Sequence, residues 1–375
     1  MVRHPTPVLL TVRELSSGGI ERDVAKLALA LDRERFTPYV GTYKPEGLRH
    51  DELKKAGVSI LHLEINSFKS PRAVSSALQF KRFVAQHRIR VLHAFDTTAV
   101  FTVPLARLMR LPVILSSTLG DRRLLDCKSQ KQMRFTDPLV DAHVVNCDAM
   151  RKHLVEDYGI ARNRIELCYN GVDVREFYPA DRPKLDALTN ATMVIGTVCV
   201  LRPEKALDLL QRAFVVVKQR IPGAKLLIVG SGPELPKLQA NAAHLRIGDA
   251  SVFMPAVQQV APIMRSIDIF VSSSHTEAFS NSILEAMGCG CAVVGSRVGG
   301  TPELIGDNER GLLFSPGNVD ELSDRICELA KDPALRRRIG TKAAEFAATK
   351  LTMEANAARN AEIYETILQR KRKAA

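Results

Sequence analysis

Several features that would place the chain in a special class of protein are missing from its sequence. The 375 residues contain no low-complexity tract and no repeat of solenoid period, and with 46% hydrophobic and 25% charged residues the composition is that of a folded protein. Charges interrupt every apolar run well before the roughly 20 residues that a membrane-spanning helix needs. Residues 1–5 lead directly into an apolar strand pattern, unlike a signal peptide. We therefore expect a cytoplasmic protein.

A disulfide framework and a metal site are also not expected. The seven cysteines are odd in number and scattered, at positions 127, 147, 168, 199, 289, 291 and 327. Several lie in apolar strand patterns, where a reduced thiol behaves as a small hydrophobic side chain. The one close pair, Cys289 and Cys291, has no histidine or second pair to complete a zinc set.

The length of the chain suits two domains. Residues 1–178 alternate continuously apolar strand patterns, such as 91–95, with amphipathic helical patterns, and residues 179–352 repeat the scheme, for example with a helix at 207–220. Continuous strand hydrophobicity indicates parallel sheets covered on both faces. The proline-rich stretch 178–183 marks the boundary, and residues 353–375 form a last helical segment. The sequence predicts an α/β protein of two Rossmann-like, doubly wound domains that face a central cleft.

The most informative stretch is residues 275–287, in which seven residues separate the carboxylates of Glu277 and Glu285. Good N-cap side chains precede apolar residues at helical spacing, so a helix is predicted to start between the two carboxylates. The N-cap candidates are Ser280, Asn281 and Ser282, and the apolar residues are Ile283, Leu284, Ala286 and Met287. Strand patterns at 267–273 and 291–295 complete a βαβ unit, whose ligand crevice lies at the carboxyl ends of its strands.

The start of this helix suits an anion. Its first N–H groups have no partner inside the helix and, together with the helix dipole, they attract negative charge. A diphosphate could therefore sit on the backbone of residues 282–284, with Glu285 turned toward ribose hydroxyls and Glu277 in reach of a sugar ring. The plain alternative is a capped amphipathic helix with two surface glutamates, and the flanking strands favour the binding site.

Five further motifs accompany this one in order along the chain. They are Gly18-Gly19-Ile20-Glu21, Asn170-Gly171-Val172-Asp173 with Phe177 and Pro179, Leu201-Arg202-Pro203-Glu204-Lys205, Ile228-Val229-Gly230-Ser231-Gly232-Pro233, and Gly299-Gly300-Thr301-Pro302-Glu303. With them the chain resembles the family 4 glycosyltransferases over nearly its whole length, and the Glu277 to Glu285 spacing matches that family's E-x7-E signature. The resemblance implies the GT-B fold, with residues 353–375 crossing back onto the first domain. It also implies retaining transfer of a sugar from a nucleotide-sugar donor to an acceptor hydroxyl.

The resemblance places the donor mainly in the second domain. The implied donor-binding residues are Gly18, Gly19, Arg202, Lys205, Phe279, Ser280, Asn281, Ser282, Ile283, Leu284 and Glu285. Lys205, with Arg202, would stabilise charge on the departing diphosphate, and Lys205 is expected to begin a helix. Glu277, the third residue of catalytic interest, would orient the sugar, because the leaving phosphate is thought to take the acceptor's proton. Gly18 and Gly19 would let the backbone approach the diphosphate.

The chain departs from related sequences at three points. It has no Asp-x-Asp triplet, so we expect transfer without a metal and with no cofactor beyond the donor itself, a UDP- or GDP-sugar. Where the family often has an arginine five residues before the lysine, this chain has Val200, so either Arg202 substitutes or Lys205 acts with helix dipoles alone. The family's first-domain histidine is missing, and Thr118 and Asp96 are the candidate replacements.

Basic charge concentrates in the first domain. Of the formal net charge of +12, residues 1–179 contribute +8 and residues 180–375 contribute +4. The excess lies in two segments, Lys81, Arg82, His87, Arg88 and Arg90, and Arg122, Arg123, Lys128, Lys131 and Arg134. Because this domain binds the acceptor in the family, these cations could meet a phosphorylated acceptor or anionic lipid headgroups on the inner face of a membrane. An ordinary solvated surface is the alternative.

The acceptor is expected to be a glycan, a lipid-linked molecule or a small molecule, and no nucleic acid partner is expected. Two other functions stay open. A nucleotide-sugar epimerase of the same fold would need acid and base groups in the cleft. A non-catalytic polyanion-binding protein would account for the charge, but it would leave Lys205, Glu277 and Glu285 in register without a purpose.

Overall fold

The computed structural model describes residues 4–16, 18–65, 70–181, 185–306 and 308–374. The chain divides into two compact units, of which unit 1 is Met1–Gly171 with Met353–Ala375 and unit 2 is Val172–Thr352. Each unit contains one parallel sheet, as the continuous apolar strand patterns predicted. Within the predicted proline-rich boundary, Arg182 and Pro183 lie outside the described residues.

Unit 1 is built on a seven-stranded sheet in the order β3-β2-β1-β4-β5-β6-β7. Its strands are β1 (Thr6–Glu14), β2 (Phe36–Lys44), β3 (Ser59–His62), β4 (Val91–Phe95), β5 (Val113–Thr118), β6 (Ala142–Val145) and β7 (Ile165–Leu167). Its helices up to residue 171 are α1 (Gly19–Ala30), α2 (Leu48–Lys55), α3 (Pro71–Gln86), α4 (Ala99–Leu108), α5 (Cys127–Thr136) and α6 (Asp148–Glu156). In the register of the sheet, Leu9 of β1 lies opposite Tyr39 of β2 and Leu92 of β4.

Alternate side chains of β1 supply two separate cores. Val8 and Leu10 pack on one face of the sheet, in a cluster that also contains Val24 of α1. Leu9 packs on the other face with Phe80 of α3. Because both faces are covered, the central strands β4, β5 and β6 are buried throughout, and this is why they read as largely apolar runs.

Unit 2 is built on a six-stranded parallel sheet in the order β10-β9-β8-β11-β12-β13. Its strands are β8 (Met193–Val198), β9 (Ala224–Val229), β10 (Ser251–Met254), β11 (Ile269–Ser272), β12 (Ala292–Ser296) and β13 (Leu312–Phe314). Its helices are α7 (Leu207–Arg220), α8 (Leu235–His244), α9 (Ala261–Arg265), α10 (Asn281–Gly288), α11 (Thr301–Ile305), α12 (Val319–Lys331) and α13 (Pro333–Lys350). One large cluster of buried side chains contains Ile195 of β8, Phe214 of α7 and Leu322 of α12.

The last helix, α14 (Met353–Ala374), packs into unit 1. Tyr364 is fully buried there, and its hydroxyl lies 2.7 Å from Nδ1 of His93 on β4. At the start of unit 2, Val172 donates its N–H to the Leu351 carbonyl oxygen at 2.8 Å. The carbonyl oxygen of Phe177 lies 3.0 Å from the place that a Cβ on Gly288 would occupy. Residues 172–178 therefore pack with unit 2, so the division falls at residue 172, ahead of the predicted boundary at 179.

Each sheet has one point at which the strand order reverses direction. In unit 1 this point lies between β1 and β4, and in unit 2 it lies between β8 and β11. Open α/β sheets bind their ligands in the crevice at the carboxyl ends of the two strands that flank such a point. The segments that follow β8 and β11 in unit 2, and β1 and β4 in unit 1, are therefore the places to look for a site.

Candidate functional site

The segment after β8 forms one tight turn and presents Lys205. A 3₁₀ turn spans Pro203–Lys205, and α7 begins only at Leu207. Between them Ala206 is buried and adopts the left-handed conformation, with φ 48° and ψ 45°. Lys205 was expected to begin the helix, but it lies before it, because this left-handed residue separates the turn from α7.

The segment after β11 brings Glu277 against Lys205. The Lys205 ammonium lies 2.6 Å from Oε2 of Glu277, and the Ser274 hydroxyl donates to the same oxygen at 3.1 Å. The two side chains are only 22% and 14% exposed. The fold thus joins two of the predicted catalytic residues in a partly buried ion pair at the strand-order reversal of unit 2.

Two further hydrogen bonds join the segments that carry this pair. The Ser273 hydroxyl donates to the Lys205 carbonyl oxygen at 2.9 Å, and the His275 N–H donates to the Glu204 carbonyl oxygen at 2.8 Å. Since these bonds fix the backbone on both sides of the ion pair, its geometry does not depend on side-chain packing alone. The two serines were not among the predicted site residues, although Ser274 stands only three residues before Glu277.

The electrostatics of the pair keep Lys205 charged. Burial alone would lower the pKa of Lys205, but the neighbouring Glu277 carboxylate outweighs burial and raises that pKa above its ordinary value. The adjacent thiol of Cys199 is different, because burial raises its pKa to about 11 and the group stays neutral. The site therefore offers a cation and a carboxylate, and the Cys199 thiol is not a thiolate nucleophile.

Helix α10 starts where the sequence predicts a helix start. Ser280 is its N-cap, and the Ser280 hydroxyl accepts the N–H of Ile283 at 3.4 Å. The Leu284 N–H donates to the Ser280 carbonyl oxygen at 3.1 Å. Two of the three amides expected to bind a diphosphate, those of Ile283 and Leu284, are therefore already engaged within the helix. The side chains of Phe279 and Glu285 are buried.

A small polar cavity lies between these groups. Lys205, Glu277, Ser274, Ser280 and Ser282 contribute to its lining. Its volume of about 10 Å³ is the room for roughly one water molecule. The arrangement can hold a small anionic or hydroxyl group between a cation, a carboxylate and a helix start.

Arg202 is not part of this cavity. Its side chain is 61% exposed, and its guanidinium lies 3.9 Å from the carboxylate of Glu204, at the limit of an ion pair. Val200, which stands in the slot of the expected arginine, is 47% exposed. A role for Arg202 in the chemistry stays a prediction.

In unit 1 the predicted residues gather at the strand-order reversal between β1 and β4. Gly18 is the N-cap of α1 and Gly19 its first residue, and a Cβ on Gly18 would collide with the Glu21 carboxylate. Asp96, directly after β4, has the left-handed φ of 50°. Burial raises the pKa of Asp96 to about 6, and Glu21 adds to the rise, while the Leu119 N–H and the Arg122 cation oppose it.

The prediction that Arg122 belongs to an exposed basic surface is wrong. Arg122 is 1% exposed, and its guanidinium donates to both carboxylate oxygens of Asp137, at 3.0 and 2.9 Å, and to the Thr118 hydroxyl at 3.0 Å. Arg122 is therefore a buried structural cation, because Asp137 neutralises it inside unit 1. In the same segment Lys128 and Lys131 are exposed.

Two observations concern membranes and metals. None of the helices in the described ranges is long and apolar enough to cross a membrane. Within the described part of the chain, no group of three or more His, Cys, Asp or Glu residues is placed to hold a metal ion.

Solved structures share the architecture of the whole chain. A glycosyltransferase from Rickettsia africae superposes with a TM-score of 0.82 at 20% identity, covering 98% of this chain and 100% of that one. Anabaena HepE in complex with UDP superposes with a TM-score of 0.81 at 20% identity, covering 96% and 100%. The two Rossmann-like units, each with a parallel sheet, therefore define a GT-B protein, and the predicted fold class is confirmed.

Family models and curated relatives agree with the motifs. The model "Glycosyltransferase Family 4" matches residues 17–176, and "Glycosyl transferases group 1" matches residues 183–346. The N-acetyl-alpha-D-glucosaminyl L-malate synthase of Bacillus anthracis is 29% identical over 55% of this chain and 54% of its own length. The D-inositol 3-phosphate glycosyltransferase of Saccharomonospora viridis is 32% identical over 55% and 51%. The chain spans about half the length of the curated relatives it matches. It belongs to the family 4 glycosyltransferases.

Proposed function

We propose that the protein is a retaining glycosyltransferase that moves a sugar from a UDP- or GDP-sugar to an acceptor hydroxyl without a metal ion. The observation that supports this most directly is the Lys205–Glu277 pair, 2.6 Å apart beside the capped start of α10. A cation suited to a leaving diphosphate thus adjoins a carboxylate suited to sugar hydroxyls. Both lie at the carboxyl ends of β8 and β11, where this kind of sheet binds ligands.

The reaction breaks the bond between the sugar's anomeric carbon and the β-phosphate oxygen, and it forms a bond from that carbon to the acceptor oxygen on the same face. Negative charge grows on the phosphate as the first bond stretches, and Lys205 stabilises it. The leaving phosphate takes the proton of the acceptor hydroxyl. An ammonium has three donors, so Lys205 can donate to a phosphate oxygen as well as to Glu277, which orients the sugar, but its bond to Glu277 weakens as it turns toward the phosphate. Glu285 binds the ribose.

The acceptor is proposed to be an anion with a hydroxyl group. Two curated relatives carry malate and inositol 3-phosphate in their names, and both compounds combine hydroxyl and acidic groups. In this chain, exposed cations of unit 1 such as Lys128 and Lys131 would attract such an acceptor, or an anionic lipid headgroup on the cytoplasmic face of a membrane. The named relatives are transferases, so the epimerase alternative gains no support from them.

A ligand screen tests the proposal. Thermal melting with UDP, GDP and ADP and their sugar conjugates should show stabilisation by one base, because a ligand that binds only the folded state raises the melting temperature. Incubation of that nucleotide-sugar with malate or inositol phosphate, followed by NMR of the anomeric proton, should then show a product of retained configuration that forms equally in EDTA. Inverted configuration, or activity that EDTA abolishes and magnesium restores, would refute the proposed mechanism.

A further inference from the structure

The contacts of the Glu277 carboxylate converge on one of its two oxygens. Oε2 accepts a hydrogen bond from the Lys205 ammonium at 2.6 Å and a second from the Ser274 hydroxyl at 3.1 Å. Among the residues that the structure describes, no hydrogen bond reaches Oε1. One edge of the carboxylate is thus held by the protein, and the other edge is left for a ligand.

In the proposed function the Lys205 ammonium must also move toward the leaving diphosphate, because it stabilises the negative charge that appears there. Lys205 sits on a flexible four-carbon stem and acts as a mobile point charge. As it turns toward the phosphate, its hold on Oε2 weakens. Glu277 would then lose its strongest partner at the step in which the sugar must stay oriented.

Ser274, unlike Lys205, is not required to move toward the leaving phosphate. Its side chain is 2% exposed, and it follows β11 by two residues. Its two chain neighbours are both tied to the segment of Lys205, through the hydroxyl of Ser273 and the N–H of His275. Because the backbone on either side is fixed, the Ser274 hydroxyl is a donor that stays in place when the ammonium moves.

We infer that Ser274 is a positioning residue, which keeps the Glu277 carboxylate in its sugar-orienting rotamer while Lys205 turns to the leaving phosphate. This inference rests on the proposed function. In this role Ser274 acts on the reaction through Oε2 of Glu277, although it also contributes to the lining of the cavity. Its loss should therefore change the rate of transfer and leave the binding of a nucleoside diphosphate intact.

The variant Ser274→Ala tests this expectation. Because the variant removes a hydrogen bond to a charged group, kcat should fall roughly 10-fold or more, with the Kd of UDP or GDP by calorimetry unchanged within about 2-fold. Ser274→Thr keeps the hydroxyl and should recover most of kcat. Ser323→Ala is the matched control, since Ser323 is equally buried and donates to the Asp320 carbonyl oxygen on α12. An unchanged kcat in Ser274→Ala overturns the inference, and so does an equal loss in the control.

A second comparison separates positioning from a general effect on the loop. In a Glu277→Ala background, adding Ser274→Ala should cause no further loss of kcat, because the residue through which the serine acts is gone. A full additional loss would show that Ser274 acts elsewhere. Wild-type enzyme that binds neither UDP nor GDP would instead overturn the proposed function itself. Wild-type transfer with a normal Ser274→Ala variant would overturn only the positioning role.

Discussion

Lys205→Ala is the sharpest test of the ion pair, because it leaves a poorly exposed carboxylate without its cation. Exposed pairs contribute about 0.2–1 kcal/mol, and breaking a fully buried pair costs about 3–5 kcal/mol. With side-chain exposures of 22% and 14%, the pair lies between these limits. We expect a loss of about 2 kcal/mol in the free energy of unfolding, or roughly 4–8 °C in the melting temperature of a unit of this size. In the same variant kcat should fall roughly 10²-fold or more, the scale of losing one preorganised electrostatic donor.

The assay is thermal melting of Lys205→Ala, Glu277→Gln and the double variant. The double variant should lose about 1 kcal/mol less than the sum of the two singles, because each single already breaks the same pair. Lys218→Ala is the matched control, since Lys218 also lies 2.6 Å from its partner, but that partner, Asp249, is 74% exposed. A raised lysine pKa stabilises the fold at every pH below the ordinary lysine pKa, so the result should hold from pH 6 to 9. Equal effects of the two lysine substitutions, or strict additivity, would refute the reasoning.

Three further outcomes are expected. Glu285→Ala should weaken UDP or GDP binding in calorimetry, whereas Glu277→Ala should leave that affinity nearly intact and lower kcat; an equal loss of affinity would contradict the division of roles. Asp96→Asn should raise the free energy of unfolding, measured by thermal melting, by about 1–3 kcal/mol at pH 8 and leave it unchanged below pH 4, since a carboxyl pKa that folding raises from 3.8 to about 6 costs stability progressively as pH rises from about 4 to 6. Replacing Lys128 and Lys131 by glutamine should reduce cosedimentation with anionic liposomes at low salt or raise the KM of an anionic acceptor, because exposed cations contribute about 1 kcal/mol each; no change in either would return them to ordinary solvated surface.

Much of the fold could be predicted because the strands of a parallel sheet are apolar throughout. Strand β4 and helix α7 have the bounds that their patterns predicted, Val91–Phe95 and Leu207–Arg220. No strand was predicted at residues 36–44, the position of β2, since this stretch contains Pro38 and Gly41, which strands disfavour. The neighbouring strands leave room for both residues. Pro38 lies one residue before the stretch of β2 that pairs with β3, and a Cβ on Gly41 would lie 3.1 Å from Thr11 of β1.

The residues of the candidate site could be grouped from the sequence only where they lie close together along the chain. The serine cap and the two glutamates lie on one short stretch, so their grouping could be inferred from the sequence alone. Arg122 was misassigned because its burial depends on Asp137, fifteen residues further on, and nothing near Arg122 distinguishes it from exposed Lys128. A count of charges overstates the cationic surface of a protein wherever long-range ion pairs take arginines inside.

Gly299 and Gly230, in two of the glycine motifs of unit 2, both lie against backbone carbonyl oxygens of neighbouring segments. Gly299 has φ 51°, and a Cβ there would collide with the carbonyl oxygen of Glu277, while the N–H of Gly300 donates to the Ala278 carbonyl oxygen at 2.6 Å. Gly230 has φ 150°, and a Cβ there would collide with the carbonyl oxygen of Cys199, in the segment that leads to Lys205. The segment after β12 thus packs against the backbone of the Glu277 segment, and the segment after β9 packs against the backbone that leads to Lys205. In unit 2 these two glycines therefore allow the backbone to pass close to the segments that carry Lys205 and Glu277, and an alanine at Gly299 or Gly230 should displace those segments.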